Sequence, residues 1–363
     1  MPQTDPLSLS LRMARSFHRI PASIYHTMIT DARALRPEYV PRDLHHRDGQ
    51  INHLSSILAP SALDRTEDIC LFGPSGVGKT TIAKFVLDQL EREMLDLRWG
   101  YVNCMRDNSA SAVLHEFARE VGIGADLRRE GTSRSVVIDR LRDRDEQFIA
   151  VLDEVAVLDE ETLLALYEVP NVSLICITIK EDQWMTSLGQ AATSRMHSAA
   201  TVQLDKYSHA ELTDILDARV VHGLVSSRVA DGAVEYIADL AAGDARDGIA
   251  LLRRAAVYVE NNEIRELTTE VVDAISEDAR RDVLKDRVRS LGTHQRLLWR
   301  IIDEAGELDS GTLHARYEDR ANSPKSKSSR RRYLEHLEHY DLIESAGSTR
   351  GRRYRSTASF AHN

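Results

Sequence analysis

The stretch that most constrains this chain is Gly73-Pro74-Ser75-Gly76-Val77-Gly78-Lys79-Thr80, which follows the apolar run 69–72 and opens a helical pattern over 81–91. A buried strand that turns through GxxxxGK[ST] into a helix is a phosphate cradle. Glycines let backbone amides turn toward phosphate oxygens without side-chain obstruction, and the helix N-terminus adds partial positive charge. At this spacing Lys79 is expected to reach the β and γ phosphates and Thr80 to place its hydroxyl on Mg²⁺. Gly73 to Thr80, together with Thr81, are therefore the expected nucleotide-binding residues. The competing reading is a chance glycine-rich turn, which strand, lysine, threonine and helix together disfavour.

A second signal lies downstream, where the apolar run 148–152 ends in Asp153-Glu154. A buried strand delivering carboxylates at its C-terminal edge puts them where open α/β sheets hold their ligands. Asp153 is expected to orient Mg²⁺ or its waters, and Glu154 to polarise the water that attacks the γ phosphate. Without the phosphate loop, the pair would read as an ordinary acidic strand end. Strand-like runs at 69–72, 99–104, 148–152 and 172–179 alternate with helical periodicity, which predicts a parallel α/β sheet with flanking helices.

From 208 to about 279 the pattern is helical throughout, with Leu212, Ile215, Leu216 and Val220 on one stripe. This predicts a small all-helical second domain. A third unit follows. Leu297, Leu298, Ile301 and Ile302 mark a helix over 293–305, a second short one spans 311–317, and a third runs over 328–340 with Tyr333, Leu334, Leu337 and Tyr340 on one side. That placement predicts Arg331 and Arg332 pointing outward near the start of a recognition helix. Residues 342–355 read as a β-hairpin wing with glycines at its turn. Ahead of the phosphate loop, residues 1–22 are expected to be a mobile start and 23–36 a helix.

Charge separates these units. The formal net charge is −10, yet residues 285–363 hold 16 Lys+Arg against 11 Asp+Glu, leaving 31 against 46 in the rest. A basic end on an acidic body points to a polyanionic partner. Lys325, Lys327, Arg330, Arg331, Arg332, Arg350, Arg352, Arg353 and Arg355 cluster in that unit, and duplex DNA is the natural polyanion. A winged helix used for protein contacts, its basic face merely solvated, is the alternative. Only 7 of the 47 basic residues are lysine, which fits either a salt-adapted proteome or a GC-rich genome. Cys70, Cys104 and Cys176 lie far apart in apolar runs and read as core thiols. No apolar run approaches the roughly 20 residues a membrane span needs. A cytoplasmic, nucleoid-associated protein without membrane partners is expected.

These blocks, with Val40-Pro-Arg-Asp-Leu-His-His46-Arg47-Asp48, Val102-Asn103-Cys104, the run from Tyr207 to Arg219, and Gly243-Asp-Ala-Arg246, resemble archaeal initiators of the origin-recognition/cell-division-control AAA+ family over about residues 25 to 355. The resemblance implies an AAA+ P-loop NTPase base over 23–205, a helical lid over 206–282 and a C-terminal winged helix over 283–363. It implies a slow, ATP-hydrolysing nucleotide switch with ATP/ADP and Mg²⁺, binding origin double-stranded DNA and recruiting the replicative minichromosome maintenance helicase, with other copies or paralogues on DNA. Arg246 then corresponds to the second sensor reaching the phosphates, Tyr207 joins the nucleotide-binding set, and Arg195 resembles the finger completing a neighbour's site. A surface ion pair for Arg246 and a commonplace loop arginine for Arg195 stay open. One departure stands out: where such proteins carry a polar sensor, commonly asparagine, this chain has Thr178-Ile179-Lys180. The base segment 108–144, with Arg128, Arg129, Arg134 and Arg140, corresponds to one that also touches DNA in such initiators. Alternative functions are a nucleotide-switched winged-helix transcription or signalling regulator, or a transposition-type accessory that coats DNA.

Overall fold

The computed structural model describes residues 27–41, 43–58, 67–106, 109–128, 132–347 and 351–357. The expected mobile start, most of the first half of the 23–36 helix, and Arg129 and Arg350 lie outside them. The base contains α1 (Asp48–Leu58), β1 (Ile69–Phe72), α2 (Lys79–Glu93), β2 (Leu97–Asn103), α3 (Ala110–Glu120), α4 (Arg134–Arg142), β3 (Gln147–Asp153), α5 (Glu160–Tyr167), β4 (Val172–Thr178), α6 (Glu181–Ser187), α7 (Gln190–Met196) and β5 (Ala200–Gln203). Its strands form one parallel sheet in the order β2-β3-β4-β1-β5. Every residue of β4, and all but the first of β3, is buried, as strands covered on both faces must be. β5, an edge strand alternating buried and exposed side chains, was not anticipated.

Apolar residues of α1 and α2 cover one face of the sheet. The other face packs on α3, α4 and α5, and this core runs without a break into the C-terminal unit through Leu158, Trp184, Leu298, Leu337 and Tyr340. All three cysteines are buried free thiols, as expected, and burial pushes their pKa values up.

The lid comprises α8 (His209–Gly223), α9 (Ala233–Ala241) and α10 (Ala245–Asn261). Ser208 caps α8 through a capping box with Glu211. Two expectations are corrected here. The described part of the 23–36 helix is a run of turns; it packs Met28 and Leu35 into the lid core, and Arg219 donates to the carbonyls of Ala34 and Tyr39. The segment thus sits on the lid, although it precedes the base in sequence. The boundary placed at 282 falls inside α11 (Thr269–Ser290), one helix about 33 Å long at 1.5 Å per residue, which leaves the lid and enters the C-terminal unit.

That unit is a winged helix: α12 (Thr293–Ala305), β6 (Glu307–Asp309), α13 (Ser310–Arg320), α14 (Lys327–His339), and the hairpin of β7 (Ile343–Ala346) and β8 (Arg353–Ser356), with β8 central in a three-stranded antiparallel sheet. The helices lie where apolar spacing put them; β6 is too short for periodicity to reveal. At the junction Gly292 lies so close to the base that a Cβ there would stand 2.1 Å from the Met105 carbonyl oxygen. No helix among the described residues is long and apolar enough to cross a membrane.

Candidate active site and winged-helix surface

Because the sheet is parallel, β1, β3 and β4 present their carboxyl ends on one edge, and β4 lies between the other two. The phosphate loop leaves β1 and the acidic pair leaves β3, and the edge between them, where β4 ends at Thr178, is where an open α/β sheet has its ligand crevice. Lys79 is buried, its ammonium donating to the carbonyls of Gly73 at 2.8 Å and Pro74 at 2.7 Å. Burial lowers its pKa, and the charges of Glu154 and Asp153 oppose that shift. The Ser75 hydroxyl is buried in the loop with no hydrogen-bond partner, a donor of the kind a bound oxyanion satisfies.

Thr80 and Tyr101 both donate to Asp153 Oδ2, at 2.7 and 2.9 Å, while Asp153 Oδ1 accepts from the Glu154 amide. Desolvation and the neighbouring Glu154 charge raise the Asp153 pKa. The Thr80 hydroxyl and Asp153 carboxylate, already in contact, are a hard-oxygen pair suited to Mg²⁺. Tyr101 was not anticipated, since an aromatic residue in a strand carries no signal beyond packing.

Glu154 follows with φ +58°, a left-handed conformation that a non-glycine residue holds only when its surroundings fix it. Its carboxylate is gripped from the far end of the chain: His336 Nε2 lies 3.1 Å from Oε2, and the Tyr340 hydroxyl donates to Oε1. Burial works against its charge, but those hydrogen bonds and the Lys79 ammonium more than offset it, holding the carboxyl well below its usual range.

The lid closes over the opposite side. Ala245 N donates to Gly76 O, and Asp244 sits so near Gly76 that a Cβ there would lie 1.8 Å from its carboxylate oxygen; Gly76 also has φ +72°. Only glycine meets both conditions. Arg246 is exposed to solvent and faces the same crevice; desolvation works against its charge, but Tyr340, Asp244, Glu154 and Asp153 outweigh it and raise its pKa. Tyr207 lies with its hydroxyl 2.9 Å from where a Gly78 Cβ would stand, and the Arg47 guanidinium stacks 4.0 Å over its ring. Arg47 also donates to the carbonyls of Val77 and Asp205, tying loop to lid entrance. In the Arg-Asp box the role of Arg47 depends on a contact across 158 residues, which local pattern does not show.

Lys79, Thr80, Asp153, Glu154, Tyr207 and Arg246 thus converge. Arg195 does not join them: it is exposed on α7, its guanidinium 5.3 Å over the Tyr167 ring. Thr178 and Lys180 line a cavity of about 50 Å³ beside Glu154, shared with Arg332 and His336.

The cations assigned to DNA divide. Lys327, Arg331, Arg353 and Arg355 are exposed, and Lys325 and Arg352 partly so, although Arg353 pairs with Glu307 and Arg355 with Glu344. Two placements are corrected. Arg330 is buried, bonded to Glu318 at 2.7 Å and lying 5.2 Å over the Tyr317 ring. Arg332, expected to point outward, turns to the base and donates to Leu158 O at 2.9 Å and Asp159 at 3.2 Å. In segment 108–144, Arg140 is engaged by Asp126 and Arg134 by Glu161.

Comparison with known proteins bears on this assembly. Residues 65–180 match the AAA domain family, and residues 213–277 match the Cdc6 AAA+ ATPase-type lid domain. ORC1-type DNA replication protein 9 of Halobacterium salinarum is 36% identical over 330 residues, covering 90% of this chain and 93% of that protein. The chain belongs to the ORC1-type DNA replication protein family. A second member, ORC1-type DNA replication protein 1 of the same organism, is 37% identical over 303 residues, 83% of this chain and 98% of its own. The Aeropyrum pernix ORC1 protein, solved in complex with DNA, superposes with a TM-score of 0.68 at 25% identity, covering 90% of this chain and 93% of that one. As an ORC1-type protein the chain has the expected architecture: AAA+ base, helical lid and winged helix.

Proposed function

We propose that this ORC1-type protein is an ATP-dependent replication initiator that binds origin duplex DNA through its winged helix and helps recruit the minichromosome maintenance helicase. The observation that carries the reading is the convergence of Lys79, Thr80, Asp153 and Glu154 with Arg246 of the lid in a chain that ends in a basic winged helix. Helicase recruitment rests on family membership alone.

In this reading the loop amides and Lys79 hold the β and γ phosphates, Tyr207 and Arg47 flank the nucleotide, and Arg246 reads the γ phosphate from the lid. Thr80 and Asp153 hold Mg²⁺, which neutralises phosphate charge. Glu154, when unencumbered, accepts the proton of the attacking water, while Arg195 reaches into a neighbouring copy's site. Thr178 or Lys180 takes the place of the usual polar sensor. Turnover is slow, so that nucleotide state acts as a switch. Arg331, Lys327 and the wing arginines grip DNA phosphates, a sequence-independent hold that steepens with each phosphate neutralised.

Footprinting of purified protein on its own genomic DNA, with ATP and with ADP, tests the reading. Protection of discrete repeats at replication starts, changing with the nucleotide, is the expected result. Length-dependent coating of any duplex, or promoter occupancy without a replication defect in a deletion strain, would replace initiation with the accessory or regulator alternative.

A further inference from the structure

We propose that the winged helix is an intramolecular inhibitor of ATP hydrolysis, with the C-terminal end of α14 latched onto Glu154 through His336 and through Tyr340, the residue that follows the helix. The inference rests on the assignment of Glu154 as the hydrolytic base. A general base must present a free carboxylate lone pair toward the attacking water. Here each oxygen already accepts a hydrogen bond, and the side chain is only 12% exposed, with an imidazole and a phenol over it. The two aromatic rings also support each other, their centroids 4.6 Å apart. Each hydrogen bond stabilises the charged carboxylate and so weakens it as a proton acceptor, and the two rings cover its approach.

The latch has a second anchor and a connection to the lid. One turn before His336, Arg332 is fastened to the carbonyl of Leu158 and the carboxylate of Asp159, just beyond Glu154 in the chain. At the other end, Arg287 of α11 donates to the Tyr340 carbonyl at 3.0 Å and reaches Asp247 of the lid at 3.3 Å. Buried Arg287 therefore joins the lid, the linking helix and the residue that holds Glu154, so lid rotation disturbs the latch directly. DNA acts on the same helix. Arg332 cannot grip a phosphate while it holds Asp159, whereas the exposed Arg331 beside it can. Duplex DNA that recruits Arg332 draws α14 off the base, so that DNA engagement and a free Glu154 favour each other, as linkage requires.

The test is steady-state ATPase activity of the full chain, with and without duplex DNA. Tyr340→Phe keeps the ring and removes one donor to Glu154. Arg332→Ala loosens the anchor outside the hydrolytic site. Each is expected to raise kcat roughly tenfold without DNA, the scale of one charge-assisted hydrogen bond, and to leave KM for ATP within about twofold. DNA is expected to stimulate the wild type more than either variant. If both variants fold with wild-type circular dichroism yet show unchanged or reduced kcat, or if DNA stimulates them as strongly as the wild type, the latch is refuted. Glu154→Gln run in parallel separates the two claims. A Gln variant that hydrolyses normally removes the base assignment and the latch with it, whereas an inactive Gln variant beside unaccelerated Tyr340→Phe and Arg332→Ala leaves the base in place and removes only the latch.

Discussion

The lid and the winged helix both reach the nucleotide crevice, and by different means. The lid approaches through backbone, Ala245 N to Gly76 O, and brings Arg246 toward the place of the phosphates. The winged helix approaches through side chains and covers the carboxylate that would use water. Side-chain hydrogen bonds, each of order 1 to 3 kcal/mol net when one partner is charged, suit a clasp that can open. In the proposed reading, the crevice has one neighbour that completes it and one that restrains it.

The largest expected effect tests whether that crevice is a nucleotide site at all. Lys79→Ala removes the buried ammonium and is expected to weaken ATP binding about a hundredfold or more, the scale of two charge-assisted hydrogen bonds; unchanged affinity by calorimetry would leave lid and winged helix facing an empty comparison. Next, Glu154→Gln is expected to retain ATP while turnover falls by roughly 10² to 10⁴, the usual contribution of a general base. Single-turnover assays with bound nucleotide measured separately check both halves.

A smaller effect sharpens the contrast on α14 itself. Replacing exposed Arg331 and Arg353 by alanine is expected to weaken DNA binding and to flatten its logarithmic salt dependence by about 0.9 per lost phosphate contact. Arg330→Ala, by contrast, removes a buried guanidinium that packs over Tyr317 and bonds the half-exposed Glu318, and is expected to lower thermal stability first. A salt titration beside a melting curve distinguishes them, and an unaltered slope in the double variant would exonerate α14 and the wing.

The smallest effect probes the lid side. Burial and Asp244 raise the Asp247 pKa from 3.8 to about 6. A carboxyl whose folded pKa lies above its unfolded value binds its proton more tightly when folded. Its contribution to stability is therefore fully present below about pH 4 and lost as pH rises through about 6. Asp247→Asn is expected to flatten that part of the melting-temperature profile between about pH 4 and 7. Superimposable profiles would show that the Arg287 pair, not burial, governs the group.

Legibility followed the range of the contact. Four base strands and the three main winged-helix helices could be located because period 2 and period 3.6 are written into neighbouring residues; β5 and β6, short edge elements, carry too few positions to show a period. The turns at 27–40 resisted for another reason, since lid contacts around Gly223 and Arg219 hold them rather than any local pattern. At the end of α14 the helical stripe placed Tyr340 in a core correctly, but could not reveal that its hydroxyl has a partner.

By itself, the sequence determined the chemistry: GxxxxGK[ST] after a strand and Asp-Glu at the end of another create their local geometry wherever they fold, because backbone and side chain act within a few residues of one another. Only the tertiary structure decided who controls that chemistry. Glu154 meets His336 and Tyr340 across 182 and 186 residues, and Arg330 and Arg332 part company within one helical turn, one buried and one clasping the base. Such pairings arise from how whole domains pack, which leaves no periodic trace in the chain.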